Sequence, residues 1–233
     1  PRRRLHIAQG LIEGASFNML KNLKYYQNRG KDLEVQIGMI EGYRPGIAQT
    51  GNVPELMGLE GNCRQVYYEA FEQIIDDFEM NGRTKQPPSN EVNALVSFGN
   101  TMCYTLALDT IYHTQLNPTI SFLHEPGVRR YSLALDLAEI FKPILVDRTI
   151  FRVFNQKILK ASDFEQKLNG CFLKTTGKQA FIRCFEERLK ETIQHRTLKK
   201  PVSYKHLVRL ECYKLAKYIL NIEPEYKPFK IWW

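Results

Sequence analysis

Between Pro54 and Phe78 the apolar residues Leu56, Cys63, Tyr67, Phe71, Ile74 and Phe78 recur at spacings of three, four and seven. Only a helix, with its 3.6-residue turn, gathers such a set onto one face. The same period governs most of the chain. It predicts helices over residues 2–28 and 31–43, the second stopped by Arg44-Pro45-Gly46. A third runs from Pro54 to about Phe78. A fourth starts from a cap at Ser89 or Asn90 and reaches about Thr114. Another begins near Tyr131 and is kinked or restarted at Pro143. Two more fit 178–194 and 203–220, separated by KKPVS. Gly170, Gly177 and the segment CFLKTT leave room for a small hairpin within 161–180. The expectation is a mainly α, multi-helix domain over residues 1–233 with at most one small β-hairpin. No internal repeat or low-complexity segment suggests otherwise.

A chain of 233 residues with 43% hydrophobic content can build one sizeable core. No apolar run is long enough to span a bilayer and nothing resembles a signal peptide, so a soluble, cytoplasmic protein without membrane contact is expected. The five cysteines, at 63, 103, 171, 184 and 212, are odd in number and contain no C-x-x-C pair. Reduced thiols fit this better than a disulfide framework or a zinc ribbon. The net charge of +8 is compatible with a nucleic-acid partner but does not require one. The chain opens on Pro1 without an initiator Met, which reads as the carboxy-terminal part of a longer protein.

Three sets of polar residues interrupt the apolar patterns. Glu60 falls inside the stripe of the third helix, four after Leu56 and three before Cys63. A carboxylate there needs a cation or a donor network. Arg64 one turn on could be a simple helical partner. Asp136 and Glu139 share a face of a helix otherwise built from Leu133, Leu135, Leu137, Ile140 and Phe141. Salt bridges to Arg129 or Arg130 would answer for them, and His124 in the Pro-Gly loop before them has an ordinary hydrogen-bonded reading. On the fourth helix Asn93, Ser97, Asn100 and Tyr104 line up at spacings of four, three and four. They form either an internal network or a row of neutral donors for phosphate and sugar oxygens. One arrangement answers for all three sets together. If Glu60, Glu139 and His124 converge, two carboxylates and an imidazole suit Mg²⁺ or Mn²⁺, and the ion offsets the buried charge. With a basic surface the chemistry is metal-assisted attack on a phosphodiester.

The segments LEGNCRQVYYEAF, VNALVSFGNTMCY, NPTISFLHEP and YSLALDLAEIFKP, in that order, resemble the Cas-one family of CRISPR-associated integrases. The likeness covers nearly the whole chain and corresponds to the family's α-helical catalytic domain. The family's amino-terminal β-rich dimerisation domain has no counterpart in this sequence. By motif, the resemblance implies that Glu60, His124 and Glu139 are the metal ligands and that Asp136 is a further acidic residue close to the metal. It places Asn93 and Tyr104 near the DNA strand being joined and makes Arg64 a phosphate contact. Ser97, Arg129, Arg148 and Arg152 complete the expected DNA-binding set. Arg148 and Arg152 lie one turn apart with Lys157 and Lys160 beyond, and a solvated helix face is the competing reading.

The implied reaction is attack of a DNA 3′-hydroxyl on a phosphodiester at the edge of a CRISPR repeat, with hydrolysis when water replaces the hydroxyl. The implied partners are double-stranded DNA (spacer precursor and repeat), a second copy of the chain and a small Cas-two protein. Ligation requires a neutral His124, so activity should fall at acidic pH. Two alternatives remain: a transposon-encoded integrase of the same family, and a DNA-binding scaffold without catalysis. The terminal Trp232 and Trp233 either pack on the body or dock a partner.

Overall fold

In the computed structural model, which describes residues 2–125 and 130–232, helix α1 (Arg2–Gln27) runs through the middle of the molecule. From Ile7 to Leu23 it buries residues around most of its circumference. It packs on α2 (Glu34–Ile47), α3 (Val53–Glu69) and α6 (Ser132–Lys142). Its two buried asparagines act as internal fasteners. Asn18 Nδ2 donates to Ile140 O (3.0 Å) while its Oδ1 accepts from Ile231 N (2.9 Å), tying α1 to α6 and to the carboxy-terminal tail. The buried Asn18 amide is tolerated because its donor and acceptor are both matched.

The predicted α3 forms with Asn52 as its cap, accepting from Glu55 N at 2.9 Å, and Pro54 in the first turn. It stops at Glu69, well short of Phe78. A four-residue turn, α4 (Phe71–Ile74), follows, and Ile75 is extended. Phe78 leaves the helix to lie against Phe154, 4.4 Å between ring centroids, and Asn155 Nδ2 satisfies the freed carbonyl of Ile74 at 2.9 Å. The second helix differs the other way, running through Pro45 to Ile47. Pro45 and Glu41 are on the exposed side, so the carbonyl that loses its partner faces water, and the added turn buries Ile47.

Helix α5 (Glu91–Tyr112) is capped by Asn90, as expected, and lies against α6. After α6 the chain makes one π turn, Pro143–Asp147, and continues as α7 (Arg148–Asn155). Pro143 has no amide hydrogen to donate, so the ladder loosens where it enters. Val146 in this turn approaches α5 so closely that a Cβ on Gly99 would meet its Cγ1 at 2.5 Å.

The hairpin foreseen within 161–180 is β1 (Phe164–Lys167) paired with β2 (Gly170–Leu173). Helices α8 (Thr175–Lys190) and α9 (Tyr204–Ile219) complete the mainly α architecture. Between them a second antiparallel pair replaces the end of the helix read over 178–194: β3 (Thr192–Gln194) with β4 (Pro201–Ser203). Its β-branched Thr192, Ile193 and Val202 favour extended backbone, and Val202 is buried. All five cysteines are buried and free. Among the described residues no helix is long and apolar enough to cross a membrane. Trp232 packs on the body, its Nε1 donating to Gln194 O at 2.8 Å; Trp233 and Arg129 lie outside the described residues.

Candidate functional site

Every residue of α6 is buried, so each of its polar groups must be matched by protein. Glu139 meets two cations. Lys142 Nζ, three residues on, donates to Oε1, and Arg64 Nη2 from α3 donates to Oε2. Arg64 Nε also donates to Glu60 Oε1 at 2.8 Å. Two carboxylates from different helices therefore meet on adjacent nitrogens of one guanidinium. Arg64 is thus the helical partner of Glu60, as its spacing allows, and also links it to Glu139.

Asp136, fully buried, organises the loop before α6. Its Oδ2 accepts from Phe122 N (2.6 Å) and Leu123 N (3.0 Å). Its Oδ1 accepts from His124 N (3.0 Å) and lies 2.7 Å from His124 Nδ1. A carboxylate at Nδ1 favours the ring proton there and leaves Nε2 as the lone-pair nitrogen.

The electrostatics follow from these contacts. Burial alone would raise the Glu139 carboxyl, but Lys142 and Arg64 more than offset it and hold it at about 2. Burial would lower Lys142, and Glu139 more than reverses this. Two turns on, Asp147 has neither oxygen in a hydrogen bond of ordinary geometry, although the Tyr67 hydroxyl lies beside it. Burial pushes its carboxyl up to about 7 against the pull of Arg64.

The sequence set Glu60, His124, Asp136 and Glu139 is thus brought into one neighbourhood. Among the described residues no three His, Cys, Asp or Glu side chains stand close enough, as placed, to hold a metal ion. The Arg64 guanidinium takes the place between the two carboxylates. The chemistry of the donor set nevertheless fits a hard divalent ion: two carboxylates already converge on a cation, and His124 is tied to Asp136 one turn before Glu139.

The other sequence candidates are placed as follows. Asn93 is fully buried, and its amide is engaged with the preceding loop. Nδ2 donates to Met80 O (3.0 Å) and Gly82 O (2.9 Å), while Oδ1 accepts from Thr84 N and Arg83 Nη1, both at 2.9 Å. Arg83 Nη2 reaches Ser97 Oγ at 3.0 Å. The polar stripe of α5 is, at this end, an internal network that presents a half-buried arginine. At its other end Tyr104 lies under Lys142, 4.7 Å from Nζ to the ring centre. Arg148 stacks on Tyr25 at 3.9 Å. Arg152 pairs with Glu187 at 2.8 Å and Lys157 with Asp77 at 3.3 Å, as a solvated face would.

Sequence reasoning missed Lys142 and Arg83. Lys142 was visible as the lone cation of LALDLAEIFKP, one turn from Glu139. Arg83 sits in a polar loop with no periodic signal.

Residues 1–187 match the family model for CRISPR associated protein Cas1. A curated relative from Thermodesulfovibrio yellowstonii, a CRISPR-associated endonuclease Cas1, is 49% identical over 234 aligned residues, covering 100% of this chain and 70% of the relative. The solved structure of a CAS1 protein from Thermotoga maritima is 36% identical with a TM-score of 0.84, covering 94% of this chain and 66% of that one. A partial Cas6-RT-Cas1–Cas2 complex contains a chain with the same fold, TM-score 0.88 at 18% identity, covering 100% of this chain and 70% of that one. The resemblance read from four motifs, the helical architecture and these matches converge: this chain belongs to the Cas1 family of CRISPR-associated proteins.

Proposed function

We propose that this chain is the catalytic domain of a divalent-metal-dependent DNA endonuclease and integrase that inserts spacer DNA at the edge of a CRISPR repeat. The observation that carries the reading is the meeting of Glu60 and Glu139 at one cation, beside a histidine whose free nitrogen is set by Asp136. Glu60, Glu139 and His124 Nε2 would hold Mg²⁺ or Mn²⁺. When bound, the ion polarises a phosphoryl oxygen and orients the attacking oxygen. The chain's own residues do the rest. Asp136 keeps the proton on His124 Nδ1, so Nε2 stays available as a donor. Lys142, held against Glu139 and over Tyr104, contributes a buried positive charge beside the reacting phosphate. Arg83 and Ser97, positioned by Asn93, are suited to the DNA backbone, and Arg148 supplies a further cation.

The partners in this reading are double-stranded DNA, a second copy of the chain and a small Cas2-type protein. The net charge of +8 supports the first. The fold shared with a chain of a Cas1–Cas2 complex supports the last. A gel assay of strand transfer with Mn²⁺ or Mg²⁺ tests the proposal. Metal-dependent joined or cleaved product that disappears in Glu60→Ala is expected; product formation indifferent to metal or to this substitution would refute it.

A further inference from the structure

Arg64 is in the wrong place for a residue that only contacts substrate. Its guanidinium bonds Glu60 through Nε and Glu139 through Nη2, while Nη1 is buried without a hydrogen-bond partner. Only 14% of the side chain is exposed. A divalent ion held by the same two carboxylates would need the space and the oxygens that the guanidinium now uses. Like charges a few ångströms apart in a poorly solvated interior repel strongly, and Glu139 already carries Lys142, so an arriving dication and the Arg64 guanidinium compete for these carboxylates. The interior also holds a second carboxyl within reach of the charge of Arg64. Asp147 is buried, neither of its oxygens has a hydrogen bond of ordinary geometry, and the charge of Arg64 acts on it.

We infer that Arg64 is a built-in placeholder for the divalent ion: it neutralises and holds together Glu60 and Glu139 in the unloaded protein, and metal entry displaces it from both. This deepens the metal-dependent reading above and rests on it. The placeholder solves a folding problem. Without it two buried carboxylates would face each other uncompensated whenever metal is scarce, a costly arrangement. The same contact lowers metal affinity, because the ion must compete with a resident cation. On displacement the guanidinium turns toward Asp147, whose carboxyl the charge of Arg64 already pulls down.

The test is Mn²⁺ binding without DNA, read from the free-ion electron paramagnetic resonance signal, for the wild type, Arg64→Gln, Arg64→Lys and Glu60→Gln. The expectation is that Arg64→Gln binds Mn²⁺ at least about tenfold more tightly than wild type. Arg64→Lys, which keeps the charge, should stay near wild type, and Glu60→Gln should lose binding. An unchanged or weaker affinity in Arg64→Gln overturns the placeholder while leaving the metal site standing, provided Glu60→Gln still loses the ion. Absence of Mn²⁺ binding in all four proteins, or binding indifferent to Glu60, overturns the metal reading and the placeholder with it. If Arg64→Gln does not fold, the wild type decides. The Arg64 Nε–H resonance, protected in the unloaded protein, should move and exchange faster on titration with Mg²⁺. A resonance that stays protected at saturation overturns the inference.

Discussion

Arg64 Nη2 on α3 donates to Glu139 Oε2 on α6, 75 residues further along the chain. This contact closes a chain of alternating charge, Glu60, Arg64, Glu139, Lys142, that stitches two helices across an interior with little water. Its energetic value lies in the cost of breaking it. Two cations lose a buried partner if Glu139 is removed, and such losses typically cost about 3–5 kcal/mol. Glu139→Ala should therefore lower the stability of the metal-free protein by about that amount, read from urea unfolding. Glu139→Gln should cost less, since its amide oxygen can still accept.

Asp136 holds His124 through both its backbone amide and its ring. Asp136→Asn keeps the shape but replaces a charged acceptor of three backbone amides and an imidazole. The expectation is a loss of about 10–100-fold in metal affinity, the range for residues that orient a ligand. Nitrogen chemical shifts of His124 should show the ring proton redistributing between Nδ1 and Nε2. An unchanged tautomer with unchanged affinity would contradict the assignment.

Asp147 gives a pH dependence. Its carboxyl is raised by burial from 3.8 to about 7 in the folded protein. The folded state then binds the proton more tightly than the unfolded state, so stability falls as pH rises between about 4 and 7. Asp147→Asn removes this dependence. It should leave the melting temperature nearly unchanged near pH 4 and raise it above pH 7. The gain there is equivalent to a few kcal/mol, because each tenfold difference in proton affinity between the folded and unfolded states is worth about 1.4 kcal/mol. Thermal melts of both proteins across this range check the sign.

The interior architecture was written plainly in some places and faintly in others. The stripe Leu56, Cys63, Tyr67, Phe71 and Ile74 is buried as its period demands, and Asn90 caps α5 as its side chain allows. Glu60, Asp136 and Glu139 stood out because carboxylates are costly in apolar helices, and the structure gathers them with His124. The path through Pro45 was not legible, because it depends on which side of α2 faces water. The early end of α3 was not legible either, since Phe78 fits the helical period but finds Phe154 instead. Arg64 as a partner of Glu139 needed three-dimensional information: a helical neighbour such as Lys142 can be read from spacing, a second helix at the same carboxylate cannot.

Gly99 tests the packing that carries the site. A Cβ there would lie 2.5 Å from Val146 Cγ1 and 3.2 Å from Phe181 Cζ, so α5 and the π turn must separate to admit it. Gly99→Ala should destabilise the fold by about 1–3 kcal/mol, the usual cost of overpacking, in urea unfolding. It should also weaken metal binding, because the π turn directly follows the segment bearing Glu139 and Lys142.

Catalysis in this reading requires Glu60, His124 and Glu139 to grip one divalent ion. Anomalous scattering from crystals soaked in Mn²⁺ addresses this without recourse to DNA. The predicted result is a manganese peak within bonding distance of Glu60, His124 Nε2 and Glu139, with the Arg64 guanidinium withdrawn from both carboxylates. Manganese held elsewhere, or Glu60 and Glu139 still closed on Arg64 at saturating metal, would contradict it.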